Sequence, residues 1–364
     1  MIVQDVIMHL EGLAPLAYAE EFDNVGLLVG DKTTEVTGVL VSLDTLEAVV
    51  DEAIETNCNL IVSFHPIIFK GLKKITGNSY VERVLIKAIE HKIAIFAIHT
   101  ALDNAFEGSN AGLCEIIGLE NKAILIPQAG TIKQLTTYVP VANVDAVRTA
   151  LFASGAGSLG NYTECSFSST GTGTYKGNEQ SNPVIGKKHD LQEVSEIKVT
   201  VRFAKHLEKH ILKTLFTSHP YEEVSYEMIT LENKNQHIGM GMIGQLPQPM
   251  DESTFLNHIK TRLNCPLIRH SKLGGSLIQK VAVLGGSGSF AIDAAKSAGA
   301  DAFITSDLKY HDFFSAENKV LLADIGHYES EAHIKNILVA HLKKKITSFA
   351  VLLSKTNTNP VKYI

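Results

Sequence analysis

Apolar runs and amphipathic stretches alternate along most of the chain, regularly enough to predict its elements. Residues 1–15, MIVQDVIMHLEGLAP, interrupt an apolar series with Gln4, Asp5 and His9. That pattern predicts an amphipathic helix and not a secretory leader. From Gly38, GVLVSLDTLEAVVDEAIETNCNLIVSFHP reads as strand, turn, helix and strand, with Leu46, Val49, Val50, Ala53 and Ile54 forming one helix stripe. From Gln279, QKVAVLGGSGSFAIDAAKSAGADAFITSD reads the same way. Val39 aligns with Val281, Val41 with Val283, Asp51 with Asp293 and Ala53 with Ala295, which points to an internal duplication. The first copy continues into a helix over Tyr80–Lys92 and the run IAIFAI, ending in HTALD. The second continues into a helix and the run VLLADI, ending in GHYESE. The expectation is two similar α/β halves with largely parallel sheets.

The middle of the chain differs. From Thr131 to Asn233, strand-like runs (KQLTTYVPV, SEIKVTVRF) alternate with turn chemistry, one Gly/Ser-rich stretch, and a helix over Ala204–Phe216. This predicts an inserted ferredoxin-like α+β domain. The expected division is 1–127 for the first half, 128–236 for the insert and 237–364 for the second half.

Composition narrows the class. With 364 residues, 45% hydrophobic and 20% charged, the chain can bury two or more cores without staples. Its net charge of −6 gives no general attraction to nucleic acid or anionic membrane. Lys343, Lys344 and Lys345 read as a helix C-terminus. No apolar stretch has the length of a membrane span. Cys58, Cys114, Cys165 and Cys265 are scattered, without a CxxC pair. They read as reduced thiols of a cytoplasmic protein.

The candidate chemistry sits in four short pieces: SFHP, HTALD, TSDLKYH and GHYESE. Each follows an apolar run, so each falls at the carboxyl end of a strand, where open α/β sheets place their sites. His327 and Glu331 are spaced for one helix face, and Glu331 tops the apolar stripe of Ile334 and Leu338. A carboxylate there either caps backbone N–H groups or meets a cation. His65 precedes Pro66, and Asp103 lies four residues after His99. Imidazole and carboxylate together suit zinc, iron or manganese better than calcium. Asp307 and His311 are acid–base candidates beside Lys309. Asp23 and Asn24 either line the same cleft or make turns. Gly286, Gly288 and Ala291 match a dinucleotide fingerprint, but the plainer reading is a tight turn whose amides could hold an anion.

Taken in order, EEFDNVGLLVGD, HPIIFKGL, HTALDNAFEGSN, GGSGSF, TSDLKYHDFF and GHYESE resemble the Nif-three-like family, commonly labelled GTP cyclohydrolase I type 2 homologues. SFSSTGTGTYKGNEQSNPVIG and HPYEEVSYEM resemble the PII/CutA-like insert of its long bacterial subtype. The resemblance implies a toroidal homohexamer and a centre of up to two divalent cations per chain, zinc first, with iron or manganese as alternatives. Its ligands carry over to His65, Asp103, His327 and Glu331. Where the family has a further histidine, this chain has Phe64, and His99 is the candidate to replace it. Two functions follow. One is a metal-dependent hydrolase acting on a nucleotide-like substrate, nominally at C8 of GTP with loss of formate, with Asp307 or His311 moving protons. The other is a non-catalytic metal-binding or regulatory scaffold whose insert binds a small ligand.

Overall fold

The computed structural model describes residues 1–158 and 160–364; Leu159, in the Gly/Ser-rich stretch, lies outside them. The chain forms two compact units, Met1–Ile126 with His237–Ile364, and Pro127–Gln236.

The larger unit is a mixed α/β structure built on two sheets. The first runs in the order Gly26–Val29, Ala94–Ala97, Leu60–Ser63, Gly38–Ser42, Ala350–Leu353. Four of its strands are parallel and Gly26–Val29 is an antiparallel edge. Alternation along the strands sends neighbours to opposite faces. Val39, Val41, Leu60 and Val62 meet the helices Val3–Glu11 and Ile334–Lys345. Leu40, Ile61 and Ile95 meet Glu47–Glu55 and Tyr80–Glu90. With both faces covered, these strands read as continuous apolar runs.

The second sheet has the order Arg269–His270, Leu321–Asp324, Ala302–Ser306, Leu277–Ser287, Gly239–Asp251, Glu120–Pro127. Only its three central strands are parallel; Arg269–His270 and Gly239–Asp251 join antiparallel. The expectation of a largely parallel sheet therefore holds in the first half and is corrected in the second. The two halves also exchange strands. Ala350–Leu353, late in the chain, completes the first sheet, and Glu120–Pro127 completes the second. Helix Ser109–Ile117, from the first half, packs in the core of the second sheet. Neither edge strand carries a mark of its partner in its sequence, so the partners are chosen by packing. The helix expected after TSD is a 3-10 stretch, Tyr310–Ala316.

The smaller unit is a four-stranded antiparallel sheet in the order Ser166–Lys176, Leu191–Ala204, Ile132–Pro140, Tyr226–Leu231. Helices Val144–Ala153 and Glu208–Ser218 cover one face through Val147, Leu151, Ile211 and Leu215. The second helix starts later than its propensity suggests, because Lys205–Leu207 forms a 3-10 turn first. Among the described residues no helix is long and apolar enough to cross a membrane.

Candidate metal centre

The polar pieces converge where the parallel strands of both sheets end. His65 lies two residues beyond Leu60–Ser63, and its amide donates to the Leu43 carbonyl at 2.9 Å. Its Nδ1 is 2.8 Å from Asp44 Oδ1, just past Gly38–Ser42. His327 opens the short helix His327–Glu331 after Leu321–Asp324, and its Nδ1 is 2.7 Å from Asp307 Oδ2. His99 opens the helix His99–Asp103, with Nδ1 2.9 Å from Asp23 Oδ1. Each imidazole is thus clamped through Nδ1 by a carboxylate, which leaves Nε2 to act as a ligand. Outer-shell carboxylates orient metal-binding histidines in this way.

Two of these Nε2 atoms meet at one oxygen. His65 Nε2 and His327 Nε2 each lie 3.1 Å from Glu331 Oε2. The Glu331 side chain is buried, and this oxygen accepts no hydrogen bond, so the ring N–H directions miss it. Ligand atoms about 2.0–2.1 Å from a tetrahedral cation sit roughly 3.3 Å apart. The three atoms therefore have close to the spacing of a half-built coordination shell. His65, His327 and Glu331 form the one His/Cys/Asp/Glu cluster among the described residues with metal-ligand spacing, their atoms within 4.8 Å of one another.

Among the protein's own groups the charges compensate one another. Burial lowers both imidazoles, but Asp44 and Glu331 outweigh it and raise His65 to about 9. Asp307 and Glu331 likewise raise His327 to about 10. Burial works against the Glu331 charge, yet the two imidazoles hold its pKa down at about 2. Asp103 is different: burial and the Glu331 charge push it up to about 7. Two buried carboxylates side by side resist shared ionisation, and a divalent cation would relieve them.

The remaining candidates divide. Asp103 adjoins the cluster and accepts a hydrogen bond from Ser109 Oγ, but its oxygens fall outside the tight group. The His99 ring stands edge-on to His65, 5.3 Å between centroids. Phe64 is fully buried, 5.0 Å from the His65 ring and 5.4 Å from His99. Asp307 acts on His327 as a positioning residue, in the left-handed region at φ +57°. His311 is exposed and rests against Tyr310 and Phe314, away from the cluster, so the structure does not place it as a proton carrier there. Asp23 belongs to the site, through His99 and Thr100. Asn24 instead ties its loop to the Ile68 carbonyl.

Asp44 was missed in the sequence. Its signal was its place, a lone carboxylate just past a buried strand, equivalent to the positions that were chosen. The glycine turn serves the same centre. The Gly285 and Gly286 amides donate to Asn110 and Ser330, so they do not form an anion cradle. A Cβ on Gly286 would fall 2.6 Å from Glu331 Oε1. The glycine is needed for the carboxylate and not for a dinucleotide.

A cavity of about 470 Å³ opens beside His65 and His327, walled by Asp44, Arg269, Tyr328 and Tyr363. Replacing Asp44 or Asp307 by Asn should weaken zinc binding about 10- to 100-fold, because the clamp on one imidazole is lost. Calorimetric titration with zinc measures this; unchanged affinity in both variants would remove the clamp from the account.

Carboxylate-steered imidazoles around a buried glutamate, at the strand ends of an α/β core, define a candidate divalent-metal site. The chain matches the family described as Duf34/NIF3 (NGG1p interacting factor 3) over residues 1–360, and it belongs to that family. It is 36% identical over 371 residues to a Bacillus subtilis (strain 168) protein named "GTP cyclohydrolase 1 type 2 homolog", covering 99% of this chain and 98% of the relative. A Staphylococcus epidermidis relative with the same name is 35% identical over 367 residues, covering both chains fully (100%). Among solved structures, a Bacillus cereus protein related to NIF3 superposes with a TM-score of 0.86 at 35% identity, over 100% of this chain and 99% of that one. A Staphylococcus aureus protein superposes with a TM-score of 0.80 at 32% identity, with the same coverage.

Proposed function

We propose that this chain is a cytoplasmic, divalent-metal-dependent hydrolase whose cation is held by His65, His327 and Glu331, with Asp103 and His99 on the adjoining side. The observation that carries the reading is the buried Glu331 Oε2, without a hydrogen bond and flanked at 3.1 Å by two carboxylate-clamped imidazoles. Zinc is the first choice for a nitrogen and oxygen donor set, with iron or manganese next. When bound, such a cation acidifies water to near neutrality and polarises an electrophile.

The chain's own groups do the rest. Asp44 and Asp307 fix the imidazole tautomers and orientation through Nδ1. Asp44 also accepts from Thr358 Oγ1 at 2.5 Å, which ties the C-terminal segment to the same clamp. Arg269 is paired with Asp324 at the cavity wall, where Asp44, Asp307 and Glu329 add carboxylates and Tyr328 and Tyr363 add aromatic faces. A planar substrate suits the aromatic part of that lining, and a bound cation would offset its carboxylates. The names of the relatives suggest GTP, and the reaction that the family resemblance implies is attack of water at C8 with loss of formate. The reading also includes a homohexameric assembly and a ferredoxin-like, PII/CutA-like identity for the smaller unit, supported by its strand order.

Zinc-loaded protein incubated with GTP should release formate, and Asp307→Asn should slow it roughly 10- to 100-fold. Failure to turn over GTP, with tight metal binding retained, would favour the second reading, a metal-binding scaffold. Phe64, where the family resemblance implies a ligand, is the observation that keeps that reading in view.

A further inference from the structure

The smaller unit carries a cavity of about 720 Å³ on its sheet, formed wholly from its own residues. The strand Ser166–Lys176, the neighbouring strand at Glu196 and Lys198, and the segment 177–184 make its walls. Its chemistry centres on Glu196. That residue is only 8% exposed. One carboxylate oxygen, Oε1, accepts from the Tyr221 hydroxyl at 2.8 Å. No Lys, Arg or His nitrogen among the described residues lies within ion-pair distance of it; Lys176 and Lys198 line the same cavity, as do Glu222 and Glu223.

The nearby histidine does not supply the missing charge. His219 is buried, with Nε2 3.0 Å from the Tyr138 carbonyl and Nδ1 accepting the Tyr221 amide at 3.1 Å. One nitrogen donating and the other accepting defines a neutral ring. Burial also holds its pKa down. A buried carboxylate without a counter-ion costs free energy that a bound cation would recover.

The strand beside it is shaped for a guest. Its sequence, Thr170-Gly171-Thr172-Gly173-Thr174, puts two glycines where β-branched residues would be more stable. A Cβ on Gly173 would fall 2.2 Å from Glu196 Oε2, so this glycine leaves room for the carboxylate. A Cβ on Gly171 would meet nothing within 4 Å, so this one opens onto free space. The Tyr175 and Tyr221 rings stand edge-on, 5.8 Å apart, beside the carboxylate. Aromatic faces next to an anion attract an organic ammonium group. A metal ion is a poorer fit, because Glu196 belongs to no cluster of ligand atoms among the described residues.

We propose that this cavity is a binding site for a small amine, with Glu196 as counter-ion to the ammonium group and Tyr175 and Tyr221 as its walls. The cavity shares no residue with the metal centre.

The test uses the full chain, with 1,6-diaminohexane as probe and 1,6-hexanediol as its neutral counterpart. Calorimetry should show saturable binding of one diamine per chain and none of the diol. Glu196→Gln should weaken the diamine about 10- to 100-fold, since it removes a charge-assisted hydrogen bond. The amide can still accept from Tyr221, so the melting temperature of ligand-free Glu196→Gln should not fall. Gly171→Val, which fills the open space and favours a strand, should abolish binding without unfolding the protein. Equal diamine affinity in Glu196→Gln or in Gly171→Val would overturn the proposal. So would the absence of saturable binding below roughly 10 mM, the weak end for a formed pocket. Glu196-dependent binding of calcium or zinc in place of the diamine would also overturn it.

Discussion

Glu331→Gln should lower zinc affinity by about two to three orders of magnitude. Structural zinc sites with four ligands bind with roughly 10–16 kcal/mol, or about 3–4 kcal/mol per ligand, and 1.4 kcal/mol is a factor of ten. Glu331 is the carboxylate on which both imidazoles converge, each at 3.1 Å. The substitution is nearly isosteric and leaves the Ile334, Leu338 and Leu342 packing in place, so the fold should survive. It removes the charge that neutralises the cation and helps to raise both histidines. Competition titration against a chromogenic chelator measures the loss. An affinity within a few-fold of wild type would show that the cation is held elsewhere.

Phe64→His should add a second cation per chain. Phe64 is fully buried, and its ring packs against both His65 and His99. The three donors that cluster have the spacing to hold one ion, and the adjoining side offers Asp103 and His99, with an apolar ring packed against both His65 and His99. An imidazole at position 64 would turn that side into a ligand set. In metal-free protein the change should destabilise by about 2–4 kcal/mol, from lost apolar packing and a buried polar ring. Zinc should reverse this by mass action, so the melting temperature of the variant should depend on zinc more steeply than that of wild type. Elemental analysis checks the count. Two tightly held ions in wild type would show that Phe64 costs nothing and that another group already completes the second position.

Much of this was legible in the sequence, for definable reasons. Strands buried on both faces leave continuous apolar runs such as GVLVS and AIFA, and the pieces that follow them mark strand ends. His65, His99, His327 and Glu331 were found that way. The strand exchange was not legible, because AVLL at 350–353 carries no mark of its partner, and its place beside Gly38–Ser42 is a long-range packing choice. Asp44, Asp23 and Asp307 are harder to read than the histidines they hold. Asp307 was read as an acid–base group, yet its carboxylate is spent on His327 and Ser287. His311 lies one helical turn from Asp307 in sequence, but the 3-10 stretch turns its ring toward Tyr310 and Phe314. The cavity around Glu196 was hidden for another reason. A single glutamate in a strand shows neither its burial nor its lack of a counter-ion.

The central claim is that a divalent cation binds between His65, His327 and Glu331. Anomalous diffraction at the zinc absorption edge, from crystals grown with zinc, tests it most directly. A strong peak is expected within bonding distance of His65 Nε2, His327 Nε2 and Glu331 Oε2, absent in Glu331→Gln. A zinc peak at any other group of residues, with this cluster empty, would contradict it.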